Sequence, residues 1–493
     1  MHIQKIMLRY YIPFSFICNN ERQYNKICDC CREIFGEPAN AITAENDFFA
    51  NVSDLYNSNI SSSIGTFFKA SKITLPHLFS EDKKYNLKIK KAGLYLNKNG
   101  IGIFWYEVQP CKVITDDSNL LLIFQHSFKE LARHESPFSW REYISQKIEL
   151  DYIHNKSEIL TSPEKITDFL RRNGYNYDVS LIEKIVLKKN QKSIMILSKL
   201  SDFHMGIWIR DILAFVGEHH YMPERFTGNN QMNIPDKAIL CSCTAYHSES
   251  ENDDLNFIFA MTKGYTTSYQ RTNEFKNTLY FPFNNICWSA SYEGIGQYIN
   301  LTNTANSSFF NDLAFKRMEN YCYLFVLILQ QYYSLLYYSK KIALISDGKS
   351  KLKKASYIKM LELTDELNEF FLRNTFPQVS HISHQNEVYE YIRNIYKIND
   401  FYEQVNNGLQ AVAEKAKSYR SEKHDDLIKI FSIIGAFWGI SEVICNTSDI
   451  IVFVLGKKQA DTEWLMILIY VLLLTALSGF LVWLIWYISK RKK

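Results

Sequence analysis

Short apolar runs separated by polar turns fill the chain from Met1 to about Tyr298. Ala92–Leu96 and Ile101–Glu107 flank Asn97-Lys98-Asn99-Gly100, whose Asn-rich tetrad ending in Gly predicts a β-hairpin. Leu120–Phe124, Ile194–Leu197, Ala238–Ala245, Phe257–Met261 and Leu279–Phe283 are further expected strands. Pro137–Tyr152 and Pro163–Arg172 are expected helices, the second with Ser162 and Pro163 as cap and first-turn residue. Ser248–Asp254 reads as a loop. The N-terminal run ends in a patch interrupted by Pro13 and has no small-residue cleavage site, so it is expected to be a strand and not a signal peptide.

From Phe309 the pattern turns helical. Phe309–Ile345 is long and apolar, yet Gln330-Gln331 and many tyrosines favour a helix buried against other helices over a membrane span. Lys351–Phe371 is a second expected helix, and Pro377 is the last proline. Beyond it Val388, Tyr391, Ile395, Ile398, Tyr402, Val405, Leu409, Val412, Ala416 and Tyr419 alternate spacings of three and four. That heptad seam predicts one long helix over Asn386–Asp426, as a stalk or as part of an intramolecular bundle.

The last stretch is the most apolar. Trp464–Tyr487 carries no charge, and an earlier run spans Leu427 to about Leu455. A bilayer core about 30 Å thick needs roughly 20 apolar residues, so a two-helix transmembrane hairpin is expected, at about 427–450 and 464–487. The basic tail Lys490-Arg491-Lys492-Lys493 places both termini in the cytoplasm. On the first span Ser432, Gly435, Gly439, Glu442, Asn446 and Asp449 share one face, which would line a hydrated pore if several copies surround an axis. Close helix packing through Gly435-x-x-x-Gly439 is the alternative use of that face.

Composition narrows the rest. The 493 residues are 47% hydrophobic and 22% charged, which excludes a mostly disordered chain. A net charge of +4 gives no global basic field for direct nucleic-acid binding. Ten cysteines on a cytosol-facing chain imply free thiols, and neither Cys28-x-Cys30-Cys31 nor Cys241-x-Cys243 has a second ligand pair for zinc. No Walker A sequence, Rossmann glycine fingerprint or H-E-x-x-H is present.

The sequence divides into an α+β (or α/β) cytosolic domain over 1–300, a long-helix stalk over 301–426, the two spans within 427–488 and the tail 489–493. That order resembles the CorA family of divalent-cation channels. The family's Gly-Met-Asn motif is replaced by Ile444-Cys445-Asn446, so only Asn446 matches. The departure is similar to a divergent CorA-like branch associated with type III CRISPR systems. The resemblance implies a homopentameric channel in the bacterial inner membrane. It would be an antiviral effector and not an enzyme, opened by a nucleotide second messenger such as an S-adenosylmethionine–AMP conjugate. A divalent cation is a further possible ligand, with no metal-binding residues assigned.

Such a messenger needs cations for phosphate and aromatic faces for adenine. Arg171 and Arg172, then Trp208 and Arg210 beside Asp202, His204 and Asp211, and Asp236 as acceptor for a ribose hydroxyl or an amino group, are the candidates. The rival functions are a plain magnesium transporter and a membrane-anchored hydrolase using His204, Asp202, Glu218, His219 and His220.

Overall fold

Strand β1 (His2–Ser15) is the centre of the fold, and Leu8–Ile12 are buried on both of its faces, as a strand covered on two sides requires. In this computed structural model the described residues are 1–129 and 238–411 apart from short stretches, the strands within 140–200, and isolated helical positions beyond 411. The chain divides into two compact units, Met1–Val412 and Ala413–Lys493.

The first unit holds one twelve-stranded sheet. Its other strands are β2 (Gly65–Lys69), β3 (His77–Ser80), β4 (Asn86–Asn97), β5 (Ile101–Pro110), β6 (Trp140–Glu149), β7 (Ile182–Leu187), β8 (Ser193–Leu200), β9 (Ile239–His247), β10 (Tyr280–Phe283), β11 (Ile286–Ser291) and β12 (Gly294–Asn300). The order is β10-β11-β12-β9-β1-β5-β4-β3-β6-β8-β7, with β2 paired on β4. All pairings are antiparallel except β12 with β9.

Alternation along the central strands feeds two cores. Tyr10, Ile12, Phe104 and Tyr106 face one core with α1 (Glu21–Phe35), α3 (Lys112–Thr115), α4 (Ser118–Lys129) and α5 (Glu251–Lys263). Tyr11, Ile103, Trp105, Cys241 and Cys243 face the other. That second core is closed by α2 (Ala50–Ser53), α6 (Ser307–Ser346), α7 (Lys354–Asn374), α8 (Ser383–Ile395) and a helix over 398–411, here α9. Caps set the shorter helices: Asn20 Oδ1 accepts from Gln23 N at 2.9 Å to start α1, and Ser250 Oγ accepts from Asp253 N to start α5. Gly264 at φ +65° ends α5 in the left-handed conformation that glycine adopts without a Cβ clash.

The 40-residue α6 is apolar nearly all round from Tyr321 to Gln331 because it is covered on both sides, by the sheet and by α7 and α8. The side-chain amide nitrogens of its two glutamines are bonded inside the protein. Tyr56 donates to Gln330 Oε1, Gln330 Nε2 to Asn374 Oδ1 at 3.0 Å, and Gln331 Nε2 to Tyr389 OH at 3.0 Å. The buried-helix expectation for this segment holds.

The expected CorA-like architecture is corrected. The helices that were to form a stalk lie against the sheet, with Val388, Ile398, Val405 and Leu409 buried in the second core. The single helix is interrupted at Tyr396-Lys397, where Lys397 takes φ +49°. Before the break Val388, Tyr389, Ile392 and Tyr396 are the buried set; after it Ile398, Val405 and Leu409 continue the heptad seam. Among the described residues no helix is long and apolar enough to cross a membrane. The transmembrane hairpin, the ion-channel assignment and the inner-membrane location are corrected on that finding. The segments 427–450 and 464–487 lie outside the described residues except for helical positions at Ile428, Lys429, Ser432 and Gly435.

Three short elements also differ. Leu120–Phe124 and Phe257–Met261 lie in helices α4 and α5, and Trp140–Glu149 is strand β6 within the expected helix Pro137–Tyr152. Pro163–Arg172 lies outside the described residues.

Candidate functional site

Hairpin β4–β5 builds one wall of a cavity of about 490 Å³. Its turn is held by its own side chains: Asn97 Oδ1 accepts from Asn99 N at 3.0 Å, and Gly100 sits at φ +90°, where a Cβ would meet Phe16 O at 2.6 Å. Asn99 Nδ2 then donates to Ser334 Oγ of α6 at 2.7 Å, fixing the turn against the helical layer.

Three helices complete the walls. The start of α1 brings Glu21 and Tyr24, α6 brings Tyr338 and Lys341, and α7 brings Glu362, Glu366, Glu369, Phe370 and Arg373. Spacings of four, three and four put these charged α7 residues on one helix face. The rings of Tyr338 and Phe370 stand 5.8 Å apart, and burial pushes the Tyr338 phenol well above its ordinary pKa, so it stays a hydrogen-bond donor.

Each cation is tethered. Lys341 Nζ lies 3.4 Å from Glu366 Oε2 and 4.5 Å from the Tyr337 ring centre. Arg373 Nη2 meets Glu369 Oε1 at 2.8 Å, and Lys98 Nζ lies 3.9 Å from Glu21 Oε1. These ion pairs are solvent-facing, so they hold the cations loosely, at well under 1 kcal/mol each. The cavity therefore offers an aromatic pair, amides from Asn97, Asn99 and Asn374, and cations able to exchange a carboxylate for another anion.

Nothing here resembles an activated nucleophile. Among the described residues no three His, Cys, Asp or Glu side chains come together as a metal site. The described cysteines are free. Cys241 Sγ faces Cys322 Sγ at 3.8 Å, both wholly buried between β9 and α6.

The residues expected from sequence fall elsewhere. Ser432 and Gly435 are exposed helical positions of the C-terminal unit. Gly439, Glu442, Asn446 and Asp449 lie outside the described residues, as do Arg171, Arg172, Trp208, Arg210 and Asp236. Sequence reasoning missed Lys341, Arg373 and the α7 acids. Their visible trace is the stripe Glu362, Glu366, Glu369, Arg373 on a helix expected only to pack. Comparison with known family models, curated proteins and solved structures finds no match.

Proposed function

We propose that this chain is a sensor of a small nucleotide-class ligand, with the cavity beside hairpin β4–β5 as the binding site. The observation that carries it is the joint placement of Tyr338 and Phe370 with Lys98, Lys341 and Arg373 around about 490 Å³. That volume falls within the roughly 300–1,000 Å³ of small-molecule sites. A base would lie on the aromatic pair, and a phosphate would take Lys341 and Arg373 from their carboxylates. The messenger implied by the sequence resemblance, an S-adenosylmethionine–AMP conjugate, belongs to this ligand class.

Binding would also carry information. The walls come from the sheet hairpin and from α6 and α7, so a ligand contacting both favours whichever arrangement of the two layers fits it better.

Titration calorimetry on the full chain with AMP, S-adenosylmethionine and the conjugate tests this. Binding of at least one of them is expected, weakened about tenfold or more by the joint Lys341→Ala, Arg373→Ala change. No binding by any of the three, or affinity unchanged in that variant, overturns the proposal.

A further inference from the structure

The packed face of α7 decides where its charges go. Leu363, Leu367 and Phe370 anchor the helix in the second core, which leaves Glu362, Glu366, Glu369 and Arg373 to line the cavity beside hairpin β4–β5. Glu21, at the start of α1, adds a fourth carboxylate. Among the described residues the walls therefore set four carboxylates against three cations, Lys98, Lys341 and Arg373, a net charge of −1 at neutral pH. A site that gathers polyphosphates by charge has the opposite balance.

The ion pairs bring that balance to bear on a ligand. Lys341 and Arg373 reach a phosphate only by leaving Glu366, at 3.4 Å, and Glu369, at 2.8 Å. Both released carboxylates then share a wall with the ligand. Their side chains are 53% and 60% exposed, so solvent weakens the repulsion without cancelling it. The first phosphate offsets this with its two cations. A second or third finds only Lys98, itself 3.9 Å from Glu21, and adds charge beside carboxylates that have lost their partners.

We propose that the acids of α7 are a charge filter, so that the cavity admits a nucleoside monophosphate and turns away di- and triphosphates. The filter rests on the nucleotide-class reading of this cavity and adds to it the number of phosphates. A sensor so built stays empty in the presence of triphosphates that carry the same base and sugar.

Titration calorimetry of the full chain with adenosine, AMP, ADP and ATP, free of divalent metal, tests it. AMP should bind tighter than adenosine, which has no phosphate for Lys341 and Arg373. ADP and then ATP should each bind about two- to fivefold more weakly than the nucleotide before it, the size of one solvent-screened charge contact. A site governed by its cations gives the reverse order. High salt should compress the series. The joint Glu366→Gln, Glu369→Gln change, at two exposed positions, should tighten ATP about fourfold or more and AMP less, closing the gap. ATP binding as tightly as AMP in the unaltered chain, or an unchanged gap in the double variant, overturns the filter and leaves the nucleotide reading standing. AMP that binds no tighter than adenosine also overturns the filter, and the nucleotide reading then stands or falls on the conjugate.

Discussion

Arg9 of β1 and Glu319 of α6 meet in a two-pronged ion pair, Nη1 to Oε2 at 2.9 Å and Nη2 to Oε1 at 2.8 Å. The same Nη2 reaches Glu107 Oε2 at 2.8 Å, and Lys91 Nζ lies 2.7 Å from Glu319 Oε1. The guanidinium is only 1% exposed and lies 4.3 Å from the Trp105 ring centre. Two cations and two carboxylates thus balance at the junction of sheet and helix, and that junction positions α6.

Replacing Arg9 by Met keeps an apolar side chain there but strands Glu107, whose nearest other cation, Lys91, is 4.0 Å away. Breaking a buried pair on one side costs about 3–5 kcal/mol, and the half-exposed Glu319 places this case near 3. Urea denaturation should register that loss. The Arg9→Met, Glu107→Gln double variant should recover part of it. A single-variant loss under about 1 kcal/mol would show that the pair does not hold the layers together.

Acid should weaken the same junction. Burial pushes the Glu319 carboxyl up, but Arg9 and Lys91 outweigh it and hold the group at about 2, below its ordinary 4.5. A carboxyl lowered on folding stabilises fully above its unfolded value and loses that contribution as pH falls from about 4.5 toward 2. Melting temperature measured from pH 6 to 2 should drop through that window, and Glu319→Gln should flatten this part of the curve. Parallel curves would exclude Glu319 as the group responsible.

Lys397 carries the left-handed conformation at the α8–α9 break without being glycine. Such a conformation costs an L-residue about 1 kcal/mol, which Gly avoids. Lys397→Gly is expected to raise the melting temperature slightly, and Lys397→Val to lower it. The opposite order in a thermal melt would mean that the helix runs through this point unbroken.

Asn374 ties α7 to α6. It accepts from Gln330 at 3.0 Å and from Gln331, and donates to Phe370 O at 2.8 Å. Asn374→Leu removes the side-chain acceptor of Gln330 and leaves its buried amide unpaired. A cost of about 1–3 kcal/mol is expected in denaturant melts. Tyr389, still bonded to Gln331, should keep hydrogen-exchange protection in α8 above that in α7.

Particular residues explain what the sequence revealed. The Asn97–Gly100 tetrad is a purely local instruction, so β4, β5 and their turn were legible. Gln330-Gln331 could be read as a mark of burial among helices because an amide pair is expensive in lipid and cheap beside Asn374 and Tyr389. Phe257–Met261 misled because a short apolar run has the same composition in a strand and in a covered helix; Ser250 and Gly264 were the better guides. The unbroken heptad hid Lys397, since a register change leaves spacing intact when both faces are apolar. The binding walls were invisible for another reason. Lys98 and Arg373 are 275 positions apart, and only the fold brings them to one cavity.

Strand β1 is made before both of its neighbours yet ends between β5 and β9, the latter completed only at His247. One flank can be zipped as soon as the hairpin beyond residue 86 emerges. The other must stay open while more than a hundred further residues are made. During that interval Leu8, Tyr10 and Ile12 present an unprotected pairing edge, the kind of surface on which nascent chains stick to one another. Synthesis of this protein should therefore depend on chaperone capacity more than its finished stability would suggest, and truncations ending before Ile239 should aggregate where the whole chain does not.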